Sequence, residues 1–297
     1  MAAITPTAAA PAASRAVPRR RPSLYGLTFS MPLLVWQVLF FVFPLLFLVA
    51  LSFWSVENFR LVPDLSTDAW SRMLGRAVFW DTYGRTLIMS FIAAALTSAL
   101  AFPCSYAIAF KLGDRARQLV LFLMVIPFFT SYLVRVYSWQ IFLADNGIFN
   151  AALSWFGLGP YTMLNTVFGT MVGYLTLCLP LVVLLQSFSL IFVDRTLIEA
   201  AHNLRCGRLR TVFAVIVPAA RVGLVIAALF CVILTFGDFV SPLYLGGGTA
   251  PTLSILIADT TKAGQQWPRA AVIALMMVAT LLAIAFAAIR YAYRRPS

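Results

Sequence analysis

Five stretches of this sequence run for 20 residues or more without Asp, Glu, Lys or Arg: Pro22 to Val56, Thr86 to Phe110, Asn146 to Val193, Phe239 to Ala258 and Ala270 to Ile289. A soluble core spaces its apolar residues at helical or strand intervals and leaves charges between them. Unbroken apolar blocks of this length instead match the roughly 20 residues that carry a helix across a bilayer. Only 11% of the chain is charged and 62% is hydrophobic, against about 25% charged in an average soluble domain. Disorder and a soluble globule are both excluded on this ground.

Two shorter blocks, Gln118 to Val134 and Val222 to Gly237, each end at a single charge, Arg135 and Asp238, and continue apolar beyond it. The block from Asn146 to Val193 is too long for one helix, and its first half is rich in turn formers such as Gly157, Gly159, Pro160 and Asn165. The fold class expected is therefore an all-α polytopic membrane protein with six transmembrane helices. They are placed at about Leu27–Phe53, Thr86–Phe110, Gln118–Phe142, Gly169–Ile191, Arg221–Leu245 and Pro268–Arg290. The segment Asn150–Phe156 reads as a short interfacial helix. Residues 1–22 form a basic Ala/Pro-rich tail, 23–85 the first span and an outer loop, 86–290 the core, and 291–297 a second tail. The basic head resembles a signal peptide, but the apolar run after it exceeds the usual 7–15 residues of one, so an uncleaved span is expected.

The net charge of +12 would ordinarily suggest an acidic partner such as nucleic acid. With both termini on the cytoplasmic side, 15 of the 22 basic residues fall in inside segments with only three acids, Asp114, Asp194 and Glu199. The remaining segments are neutral, so the charge follows the positive-inside rule and no nucleic-acid partner is needed. Chemistry is sparse. His202 is the sole histidine, which excludes a multi-His metal site, and no phosphate-binding GxxxxGK[ST] loop occurs. Cys104, Cys178, Cys206 and Cys231 have no CxxC spacing and read as small packing residues. Neither a cofactor nor catalysis by this chain is expected.

The stretch from Asp194 to Pro218 is the most informative. Asp194 is placed to cap a helix from Arg195 to about Leu204, Gly207 offers a turn, and Pro218 closes a second short segment before the next span. Two short helices with no core of their own, bearing Glu199, Ala200 and Ala201, present a flat surface to another protein. Here the sequence resembles the membrane subunits of ATP-binding cassette (ABC) importers. Their signature is EAA, three residues, Gly, nine residues, Ile-x-Leu-Pro. This chain has Glu199-Ala200-Ala201, then Arg205 in the Gly position, then Val215-Ile216-Val217-Pro218. Because an Arg at positive φ is strained by roughly 1 kcal/mol, Gly207 is expected to take over the turn.

The resemblance runs from about Thr86 to Ile289 and is strongest to the spermidine/putrescine-type permeases. Its further motifs are Pro127 to Trp139, Asp145 to Asn150 and Gly237 to Gly247. It implies a type I importer permease fold in a bacterial inner membrane. It also implies a cytoplasmic ATPase dimer, a second permease that is a distinct sister chain, and an extracytoplasmic solute-binding protein. Glu199, Ala200, Ala201, Arg205, Gly207 and Pro218 would then couple the permease to the ATPase. A polyamine-like solute is favoured. The same fold importing a phosphonate, an opine or amino-acid derivative or an anion is the alternative. A lone ion-coupled carrier would have no need of the Glu199 segment.

Charged residues inside spans cost about 2.5–3.5 kcal/mol on insertion scales and are functional candidates by default. Counted along unbroken helices, Arg135 and Asp238 lie at matching depth, about 26 Å from the inner end. Two readings stay open: an ion pair or gate on the translocation path, or separate snorkelling to the outer interface. Tyr132, Tyr137 and Trp139 likewise read either as a cation-binding aromatic wall or as interfacial anchors. The outer acids Asp64, Asp68 and Asp81 suit either a binding-protein contact or a solvated loop face.

Overall fold

The computed structural model describes residues 24–58, 60–262 and 265–294. The tail expected over 1–22 and the final residues of the one over 291–297 lie outside the described residues. The chain separates into two units, one ending at Phe47 and one beginning at Leu48.

The first unit contains α1 (Leu24–Gln37), a wider π turn over Val38–Val42 and most of α2 (Phe43–Leu51). Ser30–Leu51 is continuous and apolar, and at 1.5 Å per residue its 22 residues span about 33 Å. Met31, Trp36, Phe40, Phe43 and Phe47 are all exposed, as a helix bathed in hydrocarbon requires.

In the second unit an antiparallel hairpin, β1 (Ser55–Glu57) and β2 (Arg60–Val62), pairs Ser55 with Val62. Then come α3 (Asp68–Leu74), α4 (Ala77–Phe110), α5 (Asp114–Phe129), α6 (Tyr132–Leu143) and α7 (Ile148–Ser154). After α8 (Val167–Ile191) lie α9 (Arg195–Asn203), α10 (Arg208–Thr211), a π turn over Val212–Ile216, and α11 (Val217–Ala219). The chain finishes with α12 (Arg221–Gly237), α13 (Val240–Tyr244), α14 (Leu253–Lys262) and α15 (Trp267–Tyr293). The outer loop expected between Trp54 and Arg85 thus holds a hairpin, a helix and the first turns of α4.

Helices α4, α8 and α12 form the centre of the bundle. Their shared core is made of small and β-branched side chains: Ala94 and Ala101, Cys178 and Val182, Ala227 and Cys231. With no water to drive association, membrane helices gain stability from close backbone approach, which such residues permit. Gly223 shows how tight the packing is, because a Cβ there would collide with the Ser189 side chain. One end of the bundle is closed by Ala109, Leu190, Val193, Ile216 and Ala220. The opposite end is closed by Met73, Phe79, Phe236, Leu253 and Ile273.

Among the described residues four helices are long and apolar enough to cross a membrane, and up to six if each of two bent pairs counts as one span. The expected third and fifth spans are not straight. The axis turns by 90° between Asp114–Phe129 and Tyr132–Ser154, at a break that follows Pro127. The fifth helix ends at Gly237, and Asp238 lies beyond it at its C-terminal boundary. Counting depth along an unbroken helix therefore fails for Arg135, which lies beyond the 90° turn, whereas Asp238 follows directly on the unbroken α12.

Candidate functional site

The coupling segment is built by backbone accounting. Asp194 accepts from the Thr196 amide at 2.9 Å and so caps α9 at its N-terminus. That bond, followed by one from the Thr196 side chain, holds the Asp194 carboxyl below the usual carboxylate range. At the other end the Arg205 amide donates to the His202 carbonyl at 2.8 Å and the Cys206 amide to Ala201 at 3.0 Å. This crossed pair is the Schellman arrangement, which needs a left-handed residue just past the helix. Arg205 is that residue, with φ 56°. Gly207 does not take over the turn: its φ is −64° and it caps α10 instead. The expectation fails because the paired amide bonds fix the turn two residues earlier and outweigh the strain on an exposed side chain.

Helix α9 is strongly two-faced. Ala201, expected on the exposed surface with Ala200, is instead buried because it falls on the bundle side of α9, where Ile198 packs with the end formed by α4, α8 and the turn around Ile216. Glu199, Ala200, Arg205, Gly207 and Pro218 are exposed, and so are Leu197, Leu204 and Leu209. Pro218 lies near the end of the continuous helical run Arg208–Ala219, directly after the wider π turn over Val212–Ile216. From there the axis bends by 77° into α12. The surface is thus flat, partly apolar and rigidly tied to the helices behind it.

At the other end of the bundle the two broken spans meet. Asp238 accepts from the Val240 amide at 3.0 Å and the Ser241 amide at 3.2 Å, capping α13. Tyr132, at the start of α6, donates its hydroxyl to Asp238 at 2.8 Å and also touches the Ser241 hydroxyl. Of the two readings left open, the direct ion pair between Arg135 and Asp238 does not form. Arg135 instead donates to the Thr176 carbonyl at 3.2 Å and lies 5.7 Å from the Tyr132 ring centre. Tyr132 therefore stands between the two charges, a role that sequence spacing could not show. Tyr137 packs on Tyr244 at 5.2 Å, and Trp139 lies beside Phe142 and Phe149. Gln140 donates to the Tyr244 carbonyl at 2.6 Å, a second tie between α6 and α13. Among the described residues no group of three or more His, Cys, Asp or Glu is placed to hold a metal.

Residues 101–296 match the family of binding-protein-dependent transport system inner membrane components. The spermidine/putrescine transport system permease protein PotB of Escherichia coli K12 is 29% identical over 240 residues, covering 78% of this chain and 85% of that one. PotB of Haemophilus influenzae is 28% identical over 240 residues, covering 78% and 82%. A chain of a bacterial alginate ABC transporter, solved with an alginate-bound periplasmic protein, superposes with a TM-score of 0.71 at 16% identity. That match covers 91% of this chain and 94% of that one. The family match takes in the last ten residues of α4, all of α8 and α12, both breaks and the coupling segment. The chain belongs to the binding-protein-dependent transport system inner membrane components, as the non-catalytic permease subunit of an ABC importer.

Proposed function

We propose that this chain forms half of the translocation path of a polyamine importer and receives its drive through α9. The observation that carries the solute class is the alignment with spermidine/putrescine permeases over 240 residues. In this reading the exposed face of Glu199, Ala200, Leu204 and Leu209 docks on one subunit of an ATPase dimer in the cytoplasm. A sister permease completes the path, and a solute-binding protein delivers from the far side. Both termini are cytoplasmic, which places the 15 basic residues of the inside segments on that face. The domain division is the one read from sequence, with residues 194–218 as the coupling element.

The mechanics follow from how α9 is held. Its two ends are fixed by the Asp194 cap and the Arg205 turn. Its buried side is packed on the bundle end. A push on α9 therefore moves the adjoining ends of α8 and α12 rather than bending the segment itself. Interfaces packed this densely pass such shifts on as rigid-body rotations. The Tyr132–Asp238 and Gln140–Tyr244 ties lie at the far ends of the moving helices, where opening would have to release them.

The test is uptake of labelled putrescine and spermidine by cells expressing the complete transporter, with co-purification of the ATPase as a second readout. Glu199→Lys is expected to abolish both uptake and co-purification while the permease stays in the membrane. Retained co-purification refutes the docking face. Uptake of a phosphonate or an amino-acid derivative in place of polyamines refutes the solute class alone.

A further inference from the structure

Among the described residues Arg135, a cation at membrane level, makes no direct ion pair. Among the described residues the ion pairs are Arg72–Asp68 and Arg117–Asp114. The nearest acid in the fold's logic, Asp238, has its oxygens engaged by the Tyr132 hydroxyl and two α13 amides. Of the guanidinium nitrogens, Nη1 donates to Thr176, whereas Nε is buried without a partner. The edge formed by Nε and Nη2, which grips an oxyanion through two parallel bonds, is thus uncommitted. Arg135 also lines a cavity of about 310 Å³ together with Trp139, Phe142, Phe149, Ser138 and Thr176. Trp139 and Phe149 lie nearly parallel, with an interplanar angle of 10°.

We propose that this cavity binds a phosphate ester, with its oxyanion on the free edge of Arg135 and its apolar body against Trp139 and Phe149. The source that fits the position is a phospholipid. The axis of Tyr132–Ser154 departs at 90° from that of α5. The 16 residues of α5 raise α6 about 24 Å from the other face. That is the level at which aromatic residues gather beside headgroups. The site goes beyond the solute reading: a cationic polyamine would be repelled by Arg135, and lipid occupancy does not depend on which solute is carried.

The experiment follows the thermal midpoint of the full chain in a phosphate-free maltoside detergent. The probes are dihexanoyl phosphatidylglycerol, dioctanoylglycerol and glycerol 3-phosphate. Phosphatidylglycerol should raise the midpoint and dioctanoylglycerol should not. Arg135→Gln should weaken the apparent affinity about tenfold or more, as expected for loss of a charge-assisted pair. Arg135→Lys should restore part of it. An unchanged midpoint without added lipid shows that Arg135→Gln still folds; if it does not, Phe149→Ala must weaken the phosphatidylglycerol response instead. A rise with glycerol 3-phosphate alone, lost in Arg135→Gln, keeps the site but makes a soluble phosphate ester its ligand. Equal responses to dioctanoylglycerol, or an undiminished response in Arg135→Gln or, where that variant fails to fold, in Phe149→Ala, overturn the proposal.

Discussion

Replacing Arg205 by Gly relieves a backbone conformation that no L side chain favours, at a position where the side chain itself is exposed. A left-handed non-Gly residue is strained by about 1–2 kcal/mol, and a new Gly costs about 0.4–1 kcal/mol through the greater freedom of the unfolded chain. The difference predicts that Arg205→Gly stabilises the end of α9 by roughly 0.5–1 kcal/mol. The amides to watch are Arg205 and Cys206, which donate to His202 and Ala201. Hydrogen exchange at these amides should slow by about 2- to 5-fold, since that free energy is roughly 0.8–1.7 times RT. Arg205→Ala is the control: it deletes the guanidinium but keeps the Cβ, so protection should stay at or below the native level. Gly207→Ala should matter little, because its φ is negative and a Cβ there meets nothing within 4 Å. Faster exchange in Arg205→Gly would show that the Arg side chain holds the turn, and equal slowing in Arg205→Ala would trace the gain to loss of the guanidinium; either result refutes backbone strain as the cause.

Three other perturbations address the joints of the bundle. Arg117 donates to the carbonyls of Ile108, Ala109 and Leu112 at the end of α4, so Arg117→Ala should cost about 2–3 kcal/mol in denaturant unfolding. Asp114→Asn, which breaks only its exposed ion pair, should cost under about 0.5 kcal/mol. Tyr132→Phe deletes the hydroxyl shared by Asp238 and Ser241 and should destabilise by about 1.5–3 kcal/mol, because a buried carboxylate loses a partner; an unchanged unfolding midpoint would remove Tyr132 from this role. The Asp194 carboxyl is held below its ordinary pKa by its bonds to Thr196. Its cap therefore contributes in full above the ordinary carboxylate pKa and is lost as pH falls through the lower folded value, so exchange at Thr196 should quicken there in the native chain but not in Asp194→Asn.

The long membrane spans were legible because hydrocarbon imposes one rule, the absence of charge, and four of the five charge-free blocks mark the long helices Ser30–Leu51, Ala77–Phe110, Val167–Ile191 and Trp267–Tyr293, while the fifth falls on short helices. The Asp194 cap was legible too, since capping is local and needs only a carboxylate before a helix-forming run. What was not legible depends on partners far along the chain. Tyr132 and Asp238 are 106 residues apart, and no spacing rule links them. The break after Phe129 had a local sign in Pro127, but whether such a proline kinks a helix or ends it is decided by what the freed groups find nearby. The hairpin around Asn58 went unread because three-residue strands carry almost no periodic signal. At Arg205 the local rule pointed to the wrong residue because a pair of backbone bonds, not glycine's freedom, fixes where the helix ends.

The excess of basic residues at the α9 end takes on a second physical meaning once the helix ends are accounted for. Helices α4 and α15 both finish at that end, and each leaves carbonyls that lipid cannot satisfy. Arg117 takes the carbonyls at the end of α4. Arg221, at the start of α12, donates to the Ala292 carbonyl at 3.0 Å and to that of Arg294, closing α15. A guanidinium suits both places, since it carries several donors in a fixed fork and its charge opposes the negative end of the helix dipole. Lys would keep the topology signal and lose the fork. If these arginines served only to orient the chain, Arg117→Lys and Arg221→Lys would leave stability untouched. If they close helix ends, each should lower the unfolding midpoint while leaving membrane orientation unchanged, and a cysteine-accessibility map alongside denaturant unfolding separates the two.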